Sequence, residues 1–254
     1  MKRYHAWFGR YVRPFLRDAG SSASAIGLKI VHSQRVRYEI LGIAAEIGLG
    51  PKDLLLAGIT GLFHDIGRFE QFHRFNTFVD SQSIDHAQMS RDVLEREGAL
   101  EDLSSADRSI ILDAVFYHNK LTIPDSFDGR REIMSRLVRD ADKLDILRVF
   151  DDLYKKGRGS DAVNLGLPDS QELSGEVLED FLQARVVNFK NVKTSTDFLV
   201  MRLSWLYDIN FSYTLKMILE RGYLESMEKQ LPHSAWSEEI FENIRHYLET
   251  KIPV

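Results

Sequence analysis

Apolar residues recur every three to four positions along most of this chain, and strand-like alternation between turns is nearly absent. That period lines one face of an α-helix with apolar side chains, whereas a half-buried strand needs a period of two. The expected fold class is therefore all-α. One helix is predicted from about Ser24 to Ile47, with Ile26, Ile30, Val36, Ile40, Ile43, Ala44 and Ile47 as its apolar positions. Gly48, Gly50 and Pro51 stop it. A second is predicted from Pro51 or Lys52 to His64. A third begins near Ser83 as N-cap, with Asp85 in its first turn, and ends before Gly98. A fourth starts at Ser104-Ser105-Ala106-Asp107, where Ser104 and Asp107 have capping-box spacing with Asp in place of Glu. It ends around His118-Asn119. A fifth runs from about Arg131 to Lys156. Residues 157–174 are rich in Gly, Asp, Ser and Pro and read as a loop. Further helices are predicted over about 176–193, 196–220 and 236–249.

The 254 residues, 44% of them hydrophobic, suffice for a sizeable core. The expected organisation is a single all-α domain over 1–254, with a core at 20–156 and a C-terminal helical extension at 175–254 packed on it. The 33 basic and 38 acidic residues leave a formal charge of −5, which argues against general nucleic-acid binding. A local basic pocket for a small phosphorylated ligand stays compatible with it. There is no cysteine, which excludes disulfides, thiolate nucleophiles and cysteine-ligated zinc. The basic start, MKRYHAWFGRYVRPF, lacks the long apolar stretch of a signal peptide. No run approaches the roughly 20 apolar residues that span a bilayer. The expectation is a cytoplasmic, soluble protein without membrane partners.

The stretch GITGLFHDIGRFEQF, Gly58–Phe72, opens as an apolar helix and ends on His64-Asp65. Burying that pair costs free energy unless a partner offsets it. Three other histidines also sit in or at the edge of predicted helices: His32, His86 and His118. They are separated from His64 and one another by 32, 22 and 32 residues, and Asp142 follows 24 later, so each falls on a different successive helix. A helical bundle builds a metal site in this way, from side chains on facing helices. Imidazole nitrogen and carboxylate oxygen both suit Zn, Mn, Fe, Co or Ni. Taken alone, His64-Asp65 is equally a helix C-terminus with a favourable histidine and a capping aspartate. His5, His73, His233 and His246 read as ordinary core or surface histidines.

The predicted helix through RLVRDADKLDILRVF, 136–150, is apolar on two sides. Val138, Ile146 and Val149 share a face with Asp142, while Leu137, Leu144 and Leu147 lie nearer Asp140. Such a helix is central, and a carboxylate on it stays neutral or finds a cation. Periodicity leaves Asp140 and Asp142 both open, and salt bridges to Arg136, Arg139 or Lys143 are the alternative to a metal. In RFEQFHRFNTFVD, Phe69, Phe72, Phe75 and Phe78 recur every three residues. They read as a 3₁₀ or irregular loop pinned to the core, or as an aromatic wall on which a base could stack. Either way the segment is an expected pocket rim.

Together, His32, His64-Asp65 in HDIGRF, His86 in SIDHA, His118 in YHN and Asp142 in RDADKLD resemble the HD-domain superfamily of metal-dependent phosphohydrolases. The resemblance covers roughly residues 20–155 and not the C-terminal hundred. It implies an HD-domain helical bundle with additional C-terminal helices. It selects Asp142, because the superfamily's last ligand is the Asp directly before a Lys or Arg. The two further histidines resemble the dinuclear subset, which implies two divalent ions (Fe, Mn, Co, Ni or Zn, with Mg a further candidate). By that analogy His32, His64, Asp65 and Asp142 bind one ion, and His86 and His118 bind the other with Asp65 bridging. A metal-activated water would attack phosphorus, with Asp65, His86 and His118 as catalytic residues. Lys143, and Arg68 one turn after Asp65, are the candidate substrate-phosphate contacts, ahead of Arg74 and Lys120. The expected substrate is a nucleotide or another small phosphate ester. The alternatives are a di-iron oxygenase with the same ligands, or a non-catalytic nucleotide-binding protein. There is no GYP triplet and no His-His pair, which argues against the cyclic-di-GMP phosphodiesterase subgroup. Trp205, Phe211, Tyr213 and Tyr223 are expected to pack on the core or to form a homodimer interface.

Overall fold

The computed structural model describes residues 1–157 and 166–252. Among them the chain forms α-helices and short 3₁₀ turns with no strand, so the structure is all-α as the periodicity requires. Residues 158–165 of the loop expected at 157–174 lie outside the described residues. The chain divides into two compact units, Met1–Asp145 and Ile146–Val254.

The first unit contains α1 (Lys2–Asp18), α2 (Ala23–Glu46), α3 (Pro51–Phe63), α4 (Gly67–Phe75), α5 (His86–Arg96), α6 (Ser105–Tyr117) and the start of α7 (Gly129–Lys155). Helices α2 and α3 pair most extensively, and α5 lies between α4 and α6. The α2–α3 crossing is close because Gly61 has no side chain: a Cβ there would sit 2.7 Å from Ile40 Cγ2 and 2.9 Å from Arg37 Cα. Pro51 occupies the first turn of α3, where its missing N–H is no loss. Ser104 caps α6 by accepting the Asp107 amide at 3.1 Å and donating to Asp107 Oδ2 at 2.7 Å. Asp107 also pairs with Lys52 at 2.9 Å and Arg130 at 3.0 Å, fastening α3 and α7 to the start of α6.

One element of this unit was not expected, and two local expectations need correction. The N-terminal segment is a helix, α1, whose Tyr4, Trp7 and Phe8 surround the fully buried Phe63 with ring centroids 5.3–6.5 Å apart. The Phe-rich segment is mostly helix α4, not an irregular loop. In an α-helix a three-residue step rotates by about −60°, so the phenylalanines point in different directions. Phe69 is core against Phe8, Phe72 meets Phe78 at 4.6 Å, and Phe75 is exposed. Helix α5 starts two residues later than Ser83 as N-cap predicts. Asp85 is the cap, accepting the Ala87 and Gln88 amides, while Ser83 Oγ donates to the Val79 carbonyl.

The second unit holds the rest of α7, α8 (Gly175–Leu182), α9 (Ser195–Ser204), α10 (Ser212–Glu220), α11 (Tyr223–Glu228) and α12 (Ala235–Lys251). Its core includes Phe181, Val200, Leu203 and Ile240. The helix expected over 176–193 ends at Leu182, and Ala184 takes a left-handed φ of 53°. The one expected over 196–220 is two helices. Ser204 Oγ donates to the Met201 carbonyl at 2.6 Å and accepts the Val187 amide at 2.9 Å, and a 3₁₀ turn follows at Trp205–Asp208. Side-chain bonds of this kind compete with helix continuation. At the start of α9, the buried Asp197 carboxylate accepts amides from Ser174, Lys193 and Thr194 and completes a capping box with Thr194. No helix among the described residues is long and apolar enough to cross a membrane.

Candidate metal centre

Helix α3 ends at Phe63, and His64-Asp65-Ile66 form the turn into α4. His64 is fully buried and Asp65 is 3% exposed. The tightness of this turn depends on Gly67, though not through unusual dihedral freedom, since its φ is not positive. A Cβ on Gly67 would lie 2.5 Å from the Ser90 amide nitrogen and 2.8 Å from the His86 carbonyl oxygen. Only glycine lets α4 begin against α5, and the Gly67 amide then donates to Ser90 Oγ at 2.9 Å.

His32 on α2, His86 at the start of α5, His118 just after α6 and Asp142 on α7 converge on this turn. His32 Nε2 and His64 Nε2 are 3.2 Å apart, and Asp142 Oδ1 lies 3.1 Å from the first and 3.5 Å from the second. His86 Nε2 and His118 Nε2 are 3.1 Å apart. Asp65 stands between the pairs. Its Oδ2 is 3.5 Å from His32 Nε2 and 3.8 Å from His64 Nε2; its Oδ1 is 3.4 Å from His86 Nε2 and 3.7 Å from His118 Nε2. All six residues predicted as ligands are thus assembled in one centre, in two subgroups that share Asp65. Asp142, rather than Asp140, is the carboxylate beside His32.

The opposite ring nitrogens define the hydrogen positions. His32 Nδ1 faces Asp145 Oδ2 at 2.7 Å, and His86 Nδ1 faces Asp80 Oδ2 at 2.6 Å. His64 Nδ1 faces the Gly61 carbonyl at 2.9 Å, and His118 Nδ1 the Val115 carbonyl at 2.6 Å. Each acceptor holds the hydrogen on Nδ1, so in the neutral rings each Nε2 turns a lone pair inward. Two such lone pairs about 3 Å apart repel unless a cation lies between them. Asp65 Oδ1 is buried with no hydrogen-bond partner. This donor set of imidazole nitrogens and carboxylate oxygens fits divalent transition metals.

The electrostatics agree. Burial pushes the Asp65 carboxyl up, but Lys29, His64 and Arg68 outweigh it and hold the group well below the usual carboxylate range. The Asp142 carboxyl is likewise held well below the usual range, because the His32 and His64 rings that face it outweigh burial. Burial and Lys29 oppose charge on His32, yet Asp142 and Asp145 raise its pKa on balance, so the pocket favours a cation at that point. Burial pushes the His86 imidazole down to about 4 despite the Asp80 hydrogen bond.

Three participants were not expected. Lys29 donates to Asp65 Oδ2 at 2.9 Å; it lies one helical turn before His32, the one signal that could have found it. Asp145, one turn after Asp142, is fully buried and pairs with Arg35 at 2.6 Å as well as with His32. Asp80 holds His86 and Arg68 from a turn whose only sequence mark is polarity. Arg68 reaches towards Asp65, with Nε 3.5 Å from Oδ1, while its Nη1 donates to Asp80 at 2.9 Å, to Gln71 at 3.0 Å and to the Phe78 carbonyl. Lys143 is half-buried beside Asp142. Lys120 pairs with Asp85, and Arg74 with Glu70.

Such a buried cluster of histidines and aspartates on a helical scaffold is one that could hold a metal ion. Residues 30–147 match the family model of the HD domain. His32 through Asp145 all lie inside the match, and the HD domain is in general that of the metal-dependent phosphohydrolase superfamily. No curated protein and no solved structure matches the chain.

Proposed function

We propose that this protein is a metal-dependent phosphohydrolase or phosphodiesterase that acts on a nucleotide or another small phosphate ester. The observation that carries the reading is the inward set of Nε2 nitrogens, 3.2 and 3.1 Å apart in two pairs, with the two oxygens of Asp65 divided between them. His32, His64, Asp65 and Asp142 would hold one divalent ion, and His86 and His118 a second with Asp65 shared. Fe, Mn, Co, Ni and Zn all suit these donors.

When bound, such ions acidify water and neutralise charge on phosphoryl oxygens. The protein's own part is positional and electrostatic. Asp145, Asp80 and the carbonyls of Gly61 and Val115 fix the imidazoles by their Nδ1 hydrogens. Lys29 and Arg68 hold Asp65 ionised and orient it. Lys143 is the side chain we assign to the substrate phosphate, with Lys29 as a second cation near the same carboxylate. Arg68 contributes through Asp65 and the Phe78–Asp80 turn more than by a free guanidinium fork.

The reading is tested by incubating the purified protein with nucleotides and phosphomonoesters in the presence of Mn, Co, Ni or Fe. Phosphate or nucleotide release that is abolished in Asp65→Asn supports it. Product formation that instead requires oxygen and redox cycling of iron refutes it, as does a metal-loaded protein inactive on the whole panel.

A further inference from the structure

A second built site lies wholly within the second unit. A cavity of about 640 Å³ opens there beside one face of α9, formed by Ser195, Leu199 and Arg202 at helical spacing. That volume is in the range that holds small organic ligands. Arg202 is only 2% exposed. Its guanidinium lies 4.2 Å from the Phe150 ring centroid and 5.2 Å from that of Phe198. The two rings, whose centroids are 5.7 Å apart, pack against the group from neighbouring sides, and they do not satisfy its N–H edge. Its Nε is buried without a hydrogen-bond partner, and no carboxylate among the described residues forms an ion pair with it. Burial alone pulls its pKa down, to about 10. A desolvated, unpaired cation of this kind is unfavourable unless an anion meets it.

The wall around it is ordered. The Ser195 amide donates to the Pro168 carbonyl at 2.9 Å, and Ser195 Oγ donates to Asp169 at 2.9 Å and accepts the Ser170 amide at 3.2 Å. Thr196 Oγ1 donates to the Ser170 carbonyl. Ser170 Oγ accepts the Glu172 amide at 3.0 Å, which leaves its hydroxyl hydrogen to donate. Lys229 adds an exposed ammonium at the rim, and Asp169 an opposing carboxylate.

We propose that this cavity binds a small organic oxyanion, a phosphate ester or a carboxylate, through the N–H edge of Arg202, with Lys229 and the Ser170 hydroxyl as further donors. The planar guanidinium fork matches both oxyanions bidentately. Asp169 at the rim would meet a hydroxyl or amine on the organic part.

The test is calorimetric titration of the metal-loaded protein with inorganic phosphate, a nucleoside monophosphate and glutarate, on wild type and Arg202→Met. Methionine keeps an apolar side chain against the two rings and removes the charge. The expected result is one fewer binding site per chain in Arg202→Met, with its unliganded melting temperature equal to or above wild type. A phosphate probe or glutarate binding in this way identifies which oxyanion the site takes. Equal binding by both proteins, or no binding of any probe to wild type, overturns the proposal. If Arg202→Met does not fold, the exposed Lys229→Glu replaces it: at least a tenfold weaker second site supports the assignment, and unchanged binding refutes it.

Discussion

Replacing Gly67 by alanine probes the joint that sets His64-Asp65 against His86. The added Cβ would stand 2.5 Å from the Ser90 nitrogen, 2.8 Å from the His86 oxygen and 2.8 Å from the Met89 carbonyl carbon. All three are backbone atoms inside α5, so no side chain can swing away. Restoring ordinary contact at 3.4 Å or more requires α4 and α5 to part by about 1 Å, the difference between 3.4 and 2.5 Å. Overpacking costs about 1–3 kcal/mol, and the strained Gly67–Ser90 hydrogen bond adds about 1 kcal/mol. The expected loss is therefore about 2–4 kcal/mol. The same shift would move His86 Nε2 from its 3.4 Å approach to Asp65 Oδ1. Urea unfolding measures the stability, and metal competition against a chelator measures the site. The variant should lose both stability and metal affinity. A Gly67→Ala protein within about 0.5 kcal/mol of wild type, the scatter of neutral surface changes, and with full affinity would refute the close-approach argument.

Gly9 sits inside α1, and a Cβ added to it would meet nothing within 4 Å, so Gly9→Ala should stabilise the protein by about 0.5–1 kcal/mol in the same urea assay. Asp107 is held down at about 2 by Lys52, Ser104 and Arg130, so its contribution is complete above the unfolded value near 4 and disappears as pH falls through 2. Asp107→Asn should cost about 1–2 kcal/mol at neutral pH, discounted because Lys52 is exposed, and the gap from wild type should close towards pH 2. Asp145→Asn should lower metal affinity about 10–100-fold through loss of the His32 Nδ1 partner; unchanged affinity in chelator competition would contradict that positioning role.

Much of this architecture was legible because several cues coincide in the same segments. Helices α2, α3 and α6 have the apolar period and a stop or start signal within a residue or two of the observed bounds, and α6 adds the Ser104 cap. The centre was legible for the same reason, since its ligands fall on five elements: His32 within α2, His64 and Asp65 together at the end of α3, His86 and His118 at helix ends, and Asp142 on the doubly apolar α7. What stayed hidden depends on contacts distant in sequence. Helix α1 is fixed by Phe63, and the directions of Phe69, Phe72 and Phe75 only emerge once α4 is seen as a helix. Asp80 lies in a polar turn with no period, so its bond to His86 could not be anticipated. Gly67 carried no mark of its role, which is the absence of a Cβ against α5. Arg202 was unmarked because a helical arginine normally reads as solvated surface.

The most direct measurement is the metal content of the purified, reloaded and desalted protein by elemental analysis, for wild type and for His86→Ala/His118→Ala. The proposed arrangement predicts two transition-metal ions per chain in wild type and one in the double variant, where His32, His64, Asp65 and Asp142 remain. Fewer than one ion per chain in folded wild type would contradict the claim that the buried Nε2 cluster is a metal centre.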